Sequence, residues 1–381
     1  MQEHISADLI GWDAIELHRT GTPGDAQTAE WLASLLRAAG AEAQVDRFPF
    51  QRRVPGDCFV SDGERRAEGL PLLDGGATGP EGFRGAAGAF GSDRAIGVGL
   101  FVPYEGDPRT RLLQATRAGS GHRALVAVAA GEPWEPGLTV LNAERYAAPF
   151  GAPVLQVATE HAAWLTAAAV DGRPLTVAAP MTMDAAQACN VQVTFPGRRP
   201  ELAPLVIMTP CSGWWTCTSE RGGGIAVWLA AARHFAERPP ERPVILTANT
   251  GHELGHVGLE RFLTQHPELP AHAHAWVHLG ANFAAADGAL RYQASDAALM
   301  TLGIDALGRA GLAPPDVTPI GTRPYGEARD VFDQGGRYVS LLGSNRLFHH
   351  PNDRWPHAVS VERTVRATRA MLDVIDALSR D

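Results

Sequence analysis

The sequence predicts an α/β protein with a mainly parallel central sheet, helices on both faces of that sheet, and a small inserted α+β domain. After Asp184, apolar strand segments alternate with helical ones at the spacing of strand–helix–strand units. Between residues 60 and 182, the chain is instead rich in Gly and Pro, with short apolar runs. We therefore expect a main domain from residues 1–59 and 183–381, and a separate insert from residues 60–182.

The main domain is expected to begin with a helix. Apolar residues recur at helical spacing after Asp25, and Gly40 occupies the position of a C-terminal cap. Apolar residues over 43–50 then predict a strand. The pattern after Asp184 predicts four more strands, at residues 191–195, 205–208, 243–248 and 276–279, and a helix at residues 224–235.

The insert is expected to combine short strands with two helices. Its apolar runs predict strands at residues 96–102, 124–128, 153–158 and 174–178. Helices are predicted at residues 110–117 and 160–170.

The composition excludes several classes of function. The chain has 381 residues and a formal net charge of −9, and all 33 of its basic residues are arginine. The absence of lysine excludes a Schiff-base lysine and a P-loop lysine. Scattered arginines on an acidic chain argue against nucleic acid as a partner, and no apolar run is long enough to predict a membrane span. Four cysteines in a chain of this length do not form a disulfide framework, which favours a reducing cytoplasm.

Candidate functional residues follow the predicted strands. In parallel sheets, sites form at the carboxyl ends of the strands. The segments after Met208, Ala248 and Leu342 are therefore the ones of interest. Their polar, sulfur-bearing and aromatic side chains are Cys211, Trp214, Trp215, Glu220, His252, Glu253, His349 and Asp353.

Residues 252–256 read His-Glu-x-x-His, a pattern with which one helix binds zinc and supplies a general base. That chemistry needs a continuous helix. Here a buried strand is expected to end at Ala248, and glycines at positions 251, 255 and 258 oppose a helix. The sequence alone does not decide between a helical zinc motif and a site at the strand end for residues 252–256.

Several segments resemble the aminopeptidase-type zinc exopeptidases, the family that includes bacterial leucyl aminopeptidases, glutaminyl cyclases and glutamate carboxypeptidase-like enzymes. Residues 244–258, VILTANTGHELGHVG, are similar to the family's strand ending in Ala-Glu-Glu-x-Gly. Residues 220–225 are similar to its Asn-Gly-Ser-Gly helix start, and residues 349–353, HHPND, to its late His-x-Pro-x-Asp loop. The opening at residues 21–24 is also similar. This resemblance spans nearly the whole chain and implies a three-layer sandwich with a protease-associated-like insert.

The resemblance implies one zinc ion rather than the two that the family binds. Its ligands, carried over position by position, are Glu220, Glu253 and His349. The positions of the second ion's own ligands hold Pro210 and Gly280, whose side chains have no donor atom. Three protein ligands with one open position are typical of catalytic zinc.

The general base of the family falls on His252. A histidine suits this role because the usual pKa of imidazole is about 6.5. Under the same alignment, His256 is expected to point away from the site. Residues assigned to substrate binding are Trp214, Trp215, Cys211, Arg329 and Asp353.

Other roles are open for several of these residues. Glu220 can instead cap the helix that follows it. Glu253 can form a buried ion pair with an arginine such as Arg329. Cys211 can be a nucleophile with His252 as its base, or simply a buried thiol.

Together these features predict a divergent hydrolase that acts on a small amide or peptide-like substrate, with zinc polarising the carbonyl group. Two alternatives remain. One is glutaminyl-cyclase-like or other non-peptidase acyl chemistry on the same fold. The other is an inactive pseudopeptidase that binds a peptide or metabolite.

Overall fold

A computed structural model describes residues 1–312 and 316–380. The N-terminal segment forms α1 (Gln2–Asp13), α2 (Pro23–Ala38) and β1 (Gln44–Pro55). The middle of the chain forms β2 (Phe59–Ser61), β3 (Arg66–Pro71), β4 (Phe83–Ala89), β5 (Ile96–Phe101), α3 (Pro108–Gly119), β6 (Ala124–Ala129), β7 (Val154–Val157), α4 (Ala162–Val170) and β8 (Pro174–Ala178). The last part forms β9 (Met181–Phe195), β10 (Leu205–Pro210), α5 (Thr218–Glu237), β11 (Val244–Asn249), α6 (Val257–Gln265), α7 (Leu269–His272), β12 (Ala275–Leu279), β13 (Leu290–Ala294), α8 (Ala297–Arg309), β14 (Asp316–Val317), α9 (Ala328–Asp333), β15 (Tyr338–Gly343) and α10 (Val361–Arg380).

The large sheet is mixed, so the expectation of a mainly parallel sheet holds only for its centre. Its strand order is β1-β9-β11-β10-β12-β15-β13-β14. The four central strands β11, β10, β12 and β15 are parallel, whereas β9 and β13 pair antiparallel with their central neighbours. The long strand β9 also pairs antiparallel with β1 from Gln44↔Gln192 to Pro55↔Met181. The first half of β9 is largely exposed, so it lacks the apolar pattern that predicted the other strands.

Helices cover both faces of the sheet and give three layers. One core joins α2, α5, α8 and α10 to the strands, and Trp228 and Met371 are fully buried in it. A second core lies under α6, α7 and α9, around Phe262 and Trp276. The α/β class is therefore confirmed. Among the described residues, no helix is long and apolar enough to cross a membrane.

The middle of the chain forms a closed barrel with strand order β2-β3-β7-β6-β5-β4-β8. It has apolar cores of its own, which pack against α3 and α4. The β1–β9 ribbon carries this barrel, because β1 enters it and β9 leaves it. The barrel is thereby placed next to the carboxyl ends of the central strands.

Gly224 allows α5 to lie close against these strand ends. A Cβ atom at Gly224 would lie 2.5 Å from Thr209 Oγ1 and 2.9 Å from the backbone oxygen of Leu279. No other residue type fits this approach without a shift of the backbone. One turn earlier, the same helix carries Glu220 and Arg221 to the edge of the sheet.

We expect Gly224→Ala to lower the free energy of unfolding by about 1–3 kcal/mol, because the added methyl group overpacks this contact. Urea denaturation of the full chain measures the change.

Gly308→Ala is the matched control, since Gly308 is also helical and a Cβ there would meet no atom within 4 Å. It should stabilise the protein by about 0.5–1 kcal/mol, the difference in helix propensity. Equal effects of the two substitutions would contradict the close approach at Gly224.

Candidate functional site

A cavity of about 600 Å³ lies at the carboxyl edge of the central strands, between the large sheet and the barrel. The barrel side contributes acidic and aromatic residues, and the segments around the large sheet contribute four histidines. These residues are Tyr104, Glu105, Trp134 and Glu144 on one side, and His252, His256, His278 and His349 on the other.

His252 and His256 lie together in this cavity. Their rings stack with centroids 4.9 Å apart. The Nδ1 atom of His256 is 2.6 Å from the Asp330 carboxylate. The expectation that His256 points away from the site is therefore wrong.

The His-Glu-x-x-His pattern does not form a helical zinc motif. Only residues 252–254 form a single 3₁₀ turn, and Gly255 and His256 then adopt left-handed backbone conformations with φ of 76° and 64°. The chain thus reverses between the two histidines, which brings their rings face to face.

His252 forms a buried pair with Glu327. Its Nδ1 atom lies 3.2 Å from Glu327 Oε1. Burial, followed by the nearby Arg221 cation, lowers the pKa of His252 well below its usual value. Burial raises the pKa of Glu327 to about 7. Both shifts disfavour the charged forms, so the imidazole that lines the cavity is uncharged near neutral pH, where Glu327 can be either protonated or ionised.

Glu253 is turned to the opposite side of the strand end. Its Oε1 accepts hydrogen bonds from the backbone N–H and the hydroxyl of Thr20, at 2.9 and 2.8 Å. Its Oε2 accepts from the Ser212 hydroxyl at 2.6 Å. The alternative ion pair with Arg329 is also absent, since Arg329 pairs with Glu144.

A chain of hydrogen bonds connects Glu253 to Asp25 through two threonines. Thr20 Oγ1 is 2.9 Å from Thr250 Oγ1, which is 2.7 Å from Asp25 Oδ1. Three bonds link the four groups, but two hydroxyls supply only two protons. Because Glu253 already accepts three hydrogen bonds, the third proton belongs to Asp25. Burial, which raises the pKa of Asp25 to about 7, agrees with this assignment.

Glu220 and Arg221 form a fully buried ion pair. Arg221 Nη2 lies 2.7 Å from Glu220 Oε1, and His349 Nε2 lies 3.5 Å from the same oxygen. Burial opposes ionisation, but Arg221 and His349 lower the pKa of Glu220 to about 2. The Nε–H of Arg221 donates to the Ser212 carbonyl oxygen at 2.8 Å. Sequence reasoning missed Arg221, although its position directly after Glu220 was a usable signal.

The barrel orients His349. Its Nδ1 lies 2.7 Å from the carbonyl oxygen of Val140, which can only accept, so Nδ1 carries a proton. The indole N–H of Trp215 donates to the His349 carbonyl oxygen at 3.0 Å. Trp214 donates in the same way to Asn142 Oδ1 at 3.0 Å. Both tryptophans therefore support the site from outside the cavity.

Asp353 and Cys211 do not reach the cavity either. Asp353 is fully buried and caps α5, accepting from the backbone N–H groups of Ser219 and Glu220 at 2.8 and 3.0 Å. Burial raises the pKa of the Cys211 thiol well above its usual value, so Cys211 is not a ready thiolate nucleophile. Of the five residues predicted to bind substrate, Arg329 alone lines the cavity.

The three implied zinc ligands do not surround one point. Glu220 and His349 are adjacent, but both oxygens of Glu253 have protein donors and a guanidinium already lies on Glu220. Within residues 1–312 and 316–380, no group of three or more His, Cys, Asp or Glu side chains could hold a metal ion. These residues do not fit a zinc ion with three protein ligands.

Backbone strain concentrates at the same place. Among the described residues, four other than glycine have positive φ: Cys217, His256, Asn282 and His349. Cys217 directly precedes α5, and the other three line the cavity. Such conformations persist where the surrounding structure enforces them, which is common at functional sites.

No protein-family model matches the sequence, and a search of curated proteins finds no match. Solved structures do match over the full chain. The zinc aminopeptidase BSAP from Bacillus subtilis has a TM-score of 0.78 and 14% identity, covering 100% of this chain and 96% of that one. A peptidase M28 precursor from Shewanella amazonensis has a TM-score of 0.75 and 14% identity, covering 100% of this chain and 93% of that one. An aminopeptidase from Aneurinibacillus sp. strain AM-1 has a TM-score of 0.73 and 12% identity, covering 100% of this chain and 94% of that one. The resemblance to zinc exopeptidases is thus confirmed for the fold.

The protonated Asp25 makes a testable contribution to stability. Its pKa is raised from 3.8 to about 7 on folding, so the folded state loses stability as pH rises through this window. The side-chain amide introduced by Asp25→Asn keeps a donor for Thr250 and cannot ionise. We expect the variant to gain up to about 4 kcal/mol over the wild type between pH 4 and 8. Urea denaturation across this range measures the difference.

Asp296→Asn is the control of opposite sign. Burial opposes the ionisation of Asp296, but hydrogen bonds from the Leu299 N–H and from Arg337 lower its pKa below the usual value. This variant should therefore lose stability relative to the wild type as pH rises toward 3.8, and the difference between the two should stay nearly constant from about pH 5 to 8. If the Asp25→Asn and wild-type curves run parallel, the proton assignment is wrong.

Proposed function

We propose that this chain, built on the fold of zinc aminopeptidases, is a hydrolase of a small amide or peptide-like substrate with His252 as its general base. The observation that carries the proposal is the buried His252–Glu327 pair at a cavity formed by two parts of the chain. His252 also falls on the base position of the zinc exopeptidases that the sequence resembles. The named function of the structural neighbours supports the choice of a peptide-like substrate.

The pair is suited to moving one proton. In its ionised form, Glu327 accepts the Nδ1–H of the uncharged imidazole, which leaves the lone pair of Nε2 to take a proton from a water molecule. The water oxygen then adds to the substrate carbonyl carbon. The protonated imidazole returns the proton to the leaving nitrogen as the C–N bond breaks, so the base is restored. We assign no step to zinc, because Glu220, Glu253 and His349 do not converge.

Arg329 is the residue that we propose for substrate contact. Its guanidinium lies on the cavity wall, paired with Glu144 and 3.3 Å from Nε2 of His256. Glu105, whose pKa burial and Glu144 raise, faces the same region. This wall combines one cation with two carboxyl groups, which suits a ligand that carries both donors and acceptors.

An inactive pseudopeptidase is the second candidate. It is favoured by the failure of the implied zinc ligands to converge and by the burial of Ser212 and Cys211. A cyclase-like reaction would use the same base but an internal amine in place of water. Product analysis distinguishes cyclisation from hydrolysis, and binding without turnover identifies a pseudopeptidase.

We expect His252→Gln to lower kcat by about 10² to 10⁴, because glutamine cannot accept the proton. Short peptides and amino-acid amides, assayed with a chelator present, provide the substrate panel. Glu327→Gln should lower kcat as well, since it removes the carboxyl group that holds Nδ1.

His234→Gln is the matched control. His234 Nε2 lies 3.3 Å from Asp376 Oδ1, so it forms a similar histidine–carboxylate pair far from the cavity. Its substitution should leave kcat unchanged. Full activity of His252→Gln would show that the proton carrier lies elsewhere.

A further inference from the structure

We propose that the Arg221 guanidinium takes the electrostatic place of a metal ion in this site, and that its presence excludes a metal from Glu220 and His349. The inference goes beyond the proposed hydrolase activity. It is tested by metal content and metal affinity, so it can fail while the proposed hydrolase activity holds, and the reverse.

Arg221 already neutralises the carboxylate on which a metal would depend. Glu220 has no solvent exposure and Arg221 is 1% exposed, so neither charge can be screened by water. Their 2.7 Å contact places the positive charge directly on Oε1. A buried carboxylate needs such a partner, and one positive charge here is sufficient.

The guanidinium is anchored through its Nε–H, whereas Nη1 and Nη2 form no well-aligned hydrogen bond among the described residues. Its Nε–H is held by the Ser212 carbonyl oxygen at 2.8 Å, at the end of β10. Its backbone lies in the first turn of α5, whose N–H groups add further positive potential. Moving the side chain away would therefore break a hydrogen bond and leave the Glu220 carboxylate without its guanidinium, with His349 beside it.

Glu220 and His349 together still have atoms that a metal could use. Oε1 of Glu220 is in ion-pair contact with Arg221 but forms no well-aligned hydrogen bond, and the buried Nε2 of His349 has no hydrogen-bond partner among the described residues. His349 also donates Nδ1–H to a carbonyl, as metal-bound histidines usually do. A divalent ion between these two atoms would lie within a few ångströms of the guanidinium, and like charges at that distance repel strongly in a dry interior.

At Glu253, hydrogen bonds rather than a guanidinium take the place of a metal ion. Its two oxygens are satisfied by Thr20 and Ser212, so it needs no metal to remain buried as a carboxylate. The site therefore has internal partners for both carboxylates that the family resemblance assigns to zinc.

The first experiment measures zinc in the wild-type chain, purified without chelator. We expect less than about 0.1 zinc per chain by elemental analysis, and no shift of the thermal midpoint on adding one equivalent of zinc or a chelator. One bound zinc per chain that Glu220→Gln and His349→Ala both remove would overturn the proposal.

The second experiment removes the guanidinium. Arg221→Ala leaves Glu220 without its cation, so we expect zinc affinity to rise by about tenfold or more, with about one zinc per chain. Cobalt absorption reports the ligand environment, and Arg221→Ala with Glu220→Gln should lose the added ion. Arg221→Lys keeps the positive charge and should bind no zinc.

Arg117→Ala is the matched control. Arg117 is also buried and paired with a carboxylate, Asp74, at 2.7 Å, but it lies in the barrel without a neighbouring ligand histidine. It should lose stability without gaining zinc affinity. If Arg221→Ala folds and gains no more zinc affinity than Arg117→Ala, the guanidinium is not what excludes the metal. If Arg221→Ala does not fold, the wild-type and Arg221→Lys measurements decide the proposal.

Discussion

The buried ion pair between Glu220 and Arg221 is the interaction on which the site depends. Neither charge is stable alone in a dry interior, so the first turn of α5, the end of β10 and the His349 loop must meet at one place. Asp353 caps the start of α5 and accepts a hydrogen bond from the backbone N–H of Glu220, which holds Glu220 beside Arg221 and His349. The close approach of the helix, possible because Gly224 has no side chain, is part of the same requirement.

From this pair, contacts run outward through Ser212. Its carbonyl oxygen accepts from Arg221 and its hydroxyl donates to Glu253. Glu253 in turn holds Thr20, in the segment between α1 and α2, against the end of β11. The result is a connected polar layer next to the cavity, in which each buried carboxylate has specific partners. A layer of this kind supports reactive side chains without taking part in the reaction.

The barrel supplies the remaining contacts of the site, on the side of the cavity opposite the large sheet. A short segment of it supplies the Val140 carbonyl oxygen to His349, the Asn142 side chain to Trp214, and Glu144 to Arg329. The cavity therefore exists only because both parts of the chain are present. The fold is shared with zinc aminopeptidases, yet the groups gathered at its strand ends differ from a zinc site, which illustrates that chemistry resides in the site and not in the fold.

The sequence by itself determined the elements with a regular period, such as α2, α5 and the central strands β10, β11 and β12, because helix and strand periodicities depend on neighbouring residues. It predicted neither the helices α1, α8 and α10 nor the short barrel strands β2, β3 and β4. It also placed Glu220, His252 and His349 at strand ends, which is why they lie at one edge of the sheet. It did not reveal that Glu253 turns away from them. That direction is set by Thr20, 233 residues distant along the chain, and by left-handed turns at Gly251 and Gly255.

The roles of Arg221, Glu327 and His256 were likewise decided only by the tertiary structure. Glu327 and His256 are each defined by a partner from another segment, such as Glu327 beside His252 across 75 positions. Arg221 is defined by its complete burial together with the adjacent Glu220. Burial then shifts the pKa values of His252 and Glu327 by amounts that no residue type predicts. Periodicity is a local property that a sequence displays, whereas the partner and the dielectric surroundings of a buried charge come into being only when the chain is folded.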